Sequence, residues 1–172
     1  SSDVCSSDLC EVGGPKFSEE EKALAAEFAK TFDPAAVADK ARTLAAHFGP
    51  EVAEKYKDQI LVEDIFPYHA SDMISSGSTD VGDVSYITPT AQFTTACAPI
   101  PVSAHTWQSC SCYGTSVGTK GMIRAGEAMA LTGYDLFTDK KDVIEKAKEE
   151  LKADLDGATY TPIPDDMMPY YD

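Results

Sequence analysis

Val84-Ser85-Tyr86-Ile87-Thr88-Pro89-Thr90-Ala91-Gln92-Phe93-Thr94-Thr95-Ala96-Cys97-Ala98 is the stretch on which the choice of fold class turns. Residues 84–88 read as one strand. Over residues 91–98, Ala91, Phe93, Thr95 and Cys97 fall on one side of an alternating pattern, which predicts a second. Pro89 separates the two, and Pro99 and Pro101 end the second, because proline has no amide hydrogen to give to a ladder. Residues 59–67, with Ile60, Leu61, Val62, Ile65 and Phe66, are compatible with a third strand.

Helical periodicity flanks this region. Ser18-Glu19-Glu20-Glu21 has the spacing of a capping box, and Leu24, Ala25, Phe28 and Phe32 then share one helical face. Asp33-Pro34 stops that helix and starts another, carrying Val37, Ala41, Leu44, Ala45 and Phe48 as far as Gly49-Pro50. Both read as amphipathic scaffold. Residues 115–137 predict a long helix despite Gly118, Gly121, Gly126 and Gly133. Each interior glycine costs about 1 kcal/mol relative to alanine, so this helix should pack closely on a sheet. Met122, Ile123, Met129, Ala130 and Phe137 are then expected in the core. Thr138-Asp139 should cap a last helix whose Val143, Ile144, Ala147, Leu151 and Leu155 face inward and which Gly157 ends. Helices flanking a few strands give the α/β class.

The chain has 172 residues, 43% of them hydrophobic, enough for one core. A net charge of -15 with only 14 Lys and Arg excludes a nucleic-acid surface, which needs clustered cations. No apolar run approaches the roughly 20 residues that span a bilayer, so the expectation is a soluble, cytoplasmic protein with neither nucleic acid nor membrane as partner. Ser1-Ser2-Asp3-Val4-Cys5-Ser6-Ser7-Asp8-Leu9 has no helical or strand period and reads as a translated sequencing adapter. Residues 1–9 are set aside on that reading, leaving residues 10–172 as the folded part. Among the remaining cysteines no Cys-x-x-Cys pair occurs. Cys97, Cys110 and Cys112 are expected to be reduced, unpaired and at least partly buried, the last two in a turn.

Four ordered blocks carry a resemblance. They are Gly77-Ser78-Thr79-Asp80-Val81-Gly82-Asp83-Val84-Ser85, Pro89-Thr90-Ala91-Gln92, His105-Thr106-Trp107-Gln108 and Gly118-Thr119-Lys120-Gly121-Met122. With them, the stretch from about Pro15 to Asp166 resembles the C-terminal part of zinc amidohydrolases of the aminobenzoyl-glutamate utilisation protein B type, within the aminoacylase and carboxypeptidase G superfamily. The resemblance implies the C-terminal part of a three-layer αβα zinc-peptidase-like catalytic domain, its helices packed on a small mixed sheet. The N-terminal part of that domain and a lid and dimerisation domain would lie outside these residues. It also implies, for the full-length parent, a dimer or a pairing with a related second subunit. That parent would hydrolyse the amide bond of an N-acyl or N-aroyl amino acid, p-aminobenzoyl-glutamate being the implied substrate.

Amide hydrolysis needs an activated water and a stabilised oxyanion, which two divalent metal ions, zinc in this family, supply together with a glutamate that moves the proton. The family's His-x-Asp motif followed by a Glu-Glu pair does not occur in this sequence, so no catalytic residue is assigned here and the chain alone should be inactive. What the resemblance assigns is His105 as the last metal ligand, Gly77, Ser78 and Thr79 as the substrate-contacting turn, and Asp80 and Asp83 as residues that orient the loop or a ligand. His105 and this turn should lie on one edge of the sheet. The residues read alone leave alternatives open: a structural histidine, an ordinary polar turn, a noncatalytic substrate-binding or accessory subunit, or a thiolate site at Cys97, Cys110 and Cys112 with His105. His47 and His69 are further imidazoles, His69 with a minor claim to a substrate or metal role. Lys120 and Arg124, one turn apart, either face solvent or attract an anionic substrate.

Overall fold

The computed structural model describes residues 2–69, 79–164 and 167. Among these residues every regular element is a helix: α1 (Ser2–Val12), α2 (Glu19–Ala29), α3 (Pro34–Phe48), α4 (Pro50–Tyr56), α5 (Val81–Ser85), α6 (Trp107–Tyr113), α7 (Ser116–Phe137) and α8 (Lys141–Leu155). The α/β expectation of helices on a small mixed sheet is therefore overturned. Val84 lies within α5. Residues 91–98 carry no strand, and neither do residues 59–67. The alternating pattern biases the backbone toward extended geometry, but a strand exists only where a neighbour accepts its ladder. Near the second and third expected strands, the main-chain bond that joins the two segments is Ile100 N–H to the Ile60 carbonyl, at 2.7 Å, and it falls beyond residue 98.

The helix starts follow the sequence more closely. Ser18 accepts from the Glu21 amide at 3.3 Å, and the Glu21 carboxylate accepts from the Ser18 amide at 2.6 Å, which completes the capping box of α2. Asp33 caps α3 through the Ala35 amide, with Pro34 at its first turn. The last helix differs. Thr138 donates its hydroxyl back to the Tyr134 carbonyl, at 2.8 Å, so it closes α7 and does not cap α8, which starts after Lys140 without a side-chain cap. Residues 2–12, in which no period is legible, form α1 and pack against α7.

Two small cores hold the helices together. Phe17, Ala25, Leu61 and Val117 form one, joining α2 to the start of α7. Leu44, Val52, Ala53 and Tyr56 form the other, between α3 and α4, with Phe66 edge-on to both Phe48 and Tyr56. The expected burial of the α7 apolar residues fails. Met122 and Met129 are each 64% exposed, Phe137 is 78% exposed, and Ile123 and Ala130 also face outward. No described element covers them.

Glu21 links the two ends of the first core. It receives Lys120 Nζ at 2.6 Å while it completes the cap. The Lys120 hydrogen bond, then that of Ser116, then the Ser18 amide hold its carboxyl at about 2, below its ordinary 4.5. A depressed folded-state value means that this contribution to stability is complete above the unfolded value and is lost as pH falls through the folded one. Thermal melts between pH 4.5 and pH 2 should show Tm falling with pH, and Glu21→Gln should make that fall shallower. Equal slopes for the two proteins would remove Glu21 as a source of acid sensitivity.

Candidate functional site

The loop before α6, which carries His105, is held by local hydrogen bonds. Val102 N–H returns to the Pro99 carbonyl at 3.0 Å, and the Thr106 hydroxyl donates to the Ser103 carbonyl at 2.8 Å, closing a tight bend around residues 103–106. Thr106 then caps α6 reciprocally with Ser109, which is buried. Gln108 Nε2 donates to the Thr31 carbonyl at 2.9 Å and so ties α6 to the end of α2. Within this frame His105 adopts φ +60°, the left-handed region that L side chains with a Cβ seldom enter. Its side chain is exposed and makes no hydrogen bond or ion pair among the described residues. A residue held in that region by its surroundings marks a position where geometry is under functional constraint more often than ordinary loop positions do. Trp107, the first residue of α6, is 60% exposed beside it.

The other predicted residues are placed by contacts of their own, as far as they are described. Gly77 and Ser78 lie outside the described residues. Thr79 accepts from the Val81 amide at 3.4 Å and, through its carbonyl, from Gly82, so it starts α5 and its hydroxyl is engaged locally. Asp80 is exposed at the N-terminus of α5 and makes no side-chain cap. Asp83 faces Tyr160, whose phenol is pushed up by burial and by its hydrogen bond to Asp83, while Tyr86 stacks on Tyr160 with ring centroids 6.2 Å apart. Asp83 and Tyr86 thus hold the chain that leaves α8, which no sequence pattern announces. No described hydrogen bond, ion pair or ring contact connects this turn to the His105 loop.

Lys120 and Arg124 are both engaged. Lys120 also reaches the Lys16 carbonyl at 2.9 Å, and Arg124 pairs with Glu127 at 2.7 Å. Cys10, Cys97, Cys110 and Cys112 are all free thiols. Cys112 is buried, which raises its thiol pKa, and Cys97 is half-buried, but Cys110 is exposed, and both Cys110 and Cys112 stand on α6 in place of the expected turn. Among the described residues no group of three or more His, Cys, Asp or Glu side chains is placed to hold a metal ion. The thiolate site therefore does not assemble. His105 alone does not meet the needs of a catalytic zinc, which takes about three protein ligands and an open position.

A concavity lies elsewhere in the fold. A groove of about 980 Å³ runs along residues 90–100 and is walled by α3, the chain after α4 and the turn at Gly13-Gly14; His47 and His69 border it, and His105 does not. His69 lies over Gly49, where a methyl group would stand 3.4 Å from its Nδ1. No described helix is long and apolar enough to cross a membrane.

The resemblance read from the sequence has a counterpart among curated proteins. The chain is 32% identical over 165 residues to the B subunit of the p-aminobenzoyl-glutamate hydrolase of Escherichia coli (strain K12), an alignment that takes in 94% of this chain and 34% of that protein. The chain thus spans about a third of the length of the curated relative it matches. No family model matches the chain. No solved structure matches it either.

Proposed function

We propose that this chain is the carboxy-terminal third of a hydrolase subunit that cleaves the amide bond of p-aminobenzoyl-glutamate or a closely similar N-aroyl amino acid. The carrying observation is the similarity to the E. coli hydrolase along nearly the whole chain. His105 supplies one imidazole to a divalent-metal site whose other ligands and catalytic carboxylate come from polypeptide beyond these residues. Its exposure and its freedom from any described partner support this assignment, since they leave the imidazole open to a metal ion held by other polypeptide. Gly77, Ser78 and Thr79 are proposed to contact substrate in the assembled enzyme, with Asp80 orienting that turn. The acidic surface and the exposed face of α7 fit a chain that works inside a larger, cytoplasmic assembly with a companion subunit.

A chimera tests this reading. The E. coli relative with its matched third replaced by this chain, assayed with its companion subunit, should release p-aminobenzoate from p-aminobenzoyl-glutamate. A folded chimera that is inert where the unaltered E. coli protein is active would overturn the enzymatic assignment and favour a noncatalytic accessory role.

A further inference from the structure

Trp107 stands where a large apolar ring adds little to the folding of the chain. Its indole is left mostly in water, and its side chain makes no hydrogen bond or ring contact among the described residues. Its backbone is nonetheless fixed. The reciprocal cap between Thr106 and Ser109 brackets it, and Gln108, the next residue, is tied to the Thr31 carbonyl. Ser109 and Cys112 are the buried residues of α6, while Cys110 and Ser111, three and four positions after Trp107, are exposed with it. A flat ring is thus held outward on a start of helix that bonds on both sides keep in place, which is how a preorganised contact surface is made.

Charge narrows what that ring can meet. From Val84 to Thr119 there is not one Asp, Glu, Lys or Arg, in a chain where such residues make up 25%. The exposed residues nearest to Trp107 in the chain are Ser103, Ala104, His105, Cys110 and Ser111. None offers a permanent cation to a carboxylate. An N-aroyl amino acid has two unlike halves, a charged amino acid and a neutral aromatic ring, and only the second suits an indole in uncharged surroundings. Position selects the same half. In such an amide the scissile carbonyl carbon is bonded directly to the ring, so a ring belonging to an amide that is cleaved beside His105 lies close to that residue. Trp107 follows His105 by two residues, a span of at most about 7 Å between Cα atoms.

We propose that Trp107 is the platform on which the aryl ring of the substrate stacks, and that it sets the preference for aroyl over aliphatic acyl groups. The inference rests on the proposed function through the placing of His105 at the reacting carbonyl. The amino acid half, with its carboxylates, is held elsewhere.

Leucine and phenylalanine in place of Trp107 separate stacking from packing, because both are apolar and of similar bulk but only one is flat. Calorimetry on the chimera with p-aminobenzoate and with glutamate, the two halves of the substrate, reads the platform without turnover. Trp107→Leu should weaken p-aminobenzoate binding about tenfold or more and leave glutamate binding unchanged, while Trp107→Phe should stay within about threefold of the unaltered chimera for both. In the amide assay kcat/KM for p-aminobenzoyl-glutamate should fall in parallel with p-aminobenzoate affinity. No measurable p-aminobenzoate binding, equal losses for Leu and Phe, equal losses for p-aminobenzoate and glutamate, or unchanged kcat/KM in Trp107→Leu would each overturn the platform. If these appear in a chimera that still turns over, the platform alone falls. An inert chimera that keeps the Leu and Phe contrast in p-aminobenzoate binding supports the platform and overturns the hydrolase reading.

Discussion

In the chimeric hydrolase, His105→Ala should lower bound metal and p-aminobenzoyl-glutamate hydrolysis together. Removing a partner that merely orients a metal ligand commonly costs roughly 10–100-fold in affinity or activity, so loss of a ligand should exceed about 100-fold. The joint fall is the diagnostic part. A side chain that only packs or holds the loop would change turnover through stability and leave metal content per folded molecule unaltered. The exposed imidazole has no described partner to lose, so the truncation should not shift Tm by more than about 2 °C on that account. The 172-residue chain by itself should bind zinc weakly and show no turnover. Metal analysis, melting curves and the amide assay on the same preparations decide the matter. Full activity in His105→Ala, or tight zinc in the isolated chain, would take the histidine out of the role assigned to it.

Four glycines of one helix should respond to alanine in opposite directions. A methyl carbon on Gly118 would lie 2.6 Å from the Tyr113 Cα, and one on Gly121 would lie 2.6 Å from the Cys97 Sγ with the Ala96 carbonyl closer still. Both neighbours include backbone, which cannot rotate out of the way. Overpacking of this kind costs about 1–3 kcal/mol and sometimes more, which exceeds the gain of about 1 kcal/mol that alanine brings to a helix interior. Gly118→Ala and Gly121→Ala should therefore destabilise the chain by about 2 kcal/mol each. Gly126 and Gly133 meet nothing within 4 Å at the same position. There the helix preference acts unopposed, and alanine should stabilise by about 0.5–1 kcal/mol. Denaturant midpoints of the four variants measure the contrast. Stabilisation at Gly121 would mean that residues 95–98 do not rest on α7.

What is legible in the sequence is whatever is decided within a few residues. The Ser18 and Glu21 cap and the Asp33-Pro34 junction each depend on bonds spanning three residues or fewer, and the structure holds both as the residues imply. Thr138 goes the other way because a hydroxyl in that position can serve the helix behind it or the helix ahead, and here it bonds the carbonyl of Tyr134. The strands fail for a different reason. Alternation at residues 91–98 specifies a shape, whereas pairing requires a partner that local pattern cannot supply. The outward turn of Met122, Met129 and Phe137 has the same origin, because apolar spacing marks a face without stating what covers it. At the site, His105 is singled out by the order of four sequence blocks and not by its own surroundings. Its left-handed backbone has no signature in the residues on either side, and the engagement of Asp83 with Tyr160 joins positions too far apart for a motif to register.

The placement of Trp107 makes the His105 loop its own optical gauge. It is the chain's single tryptophan, it stands two residues after His105, and its indole stands largely in water. Emission from the whole chain on selective excitation is therefore emission from this one position, undiluted by any other indole. Whatever comes to rest over the loop, be it substrate, metal-bearing domain or companion subunit, must dehydrate that ring and move its colour toward the blue. The loop that carries the proposed ligand would thus also signal when the rest of the proposed site has arrived.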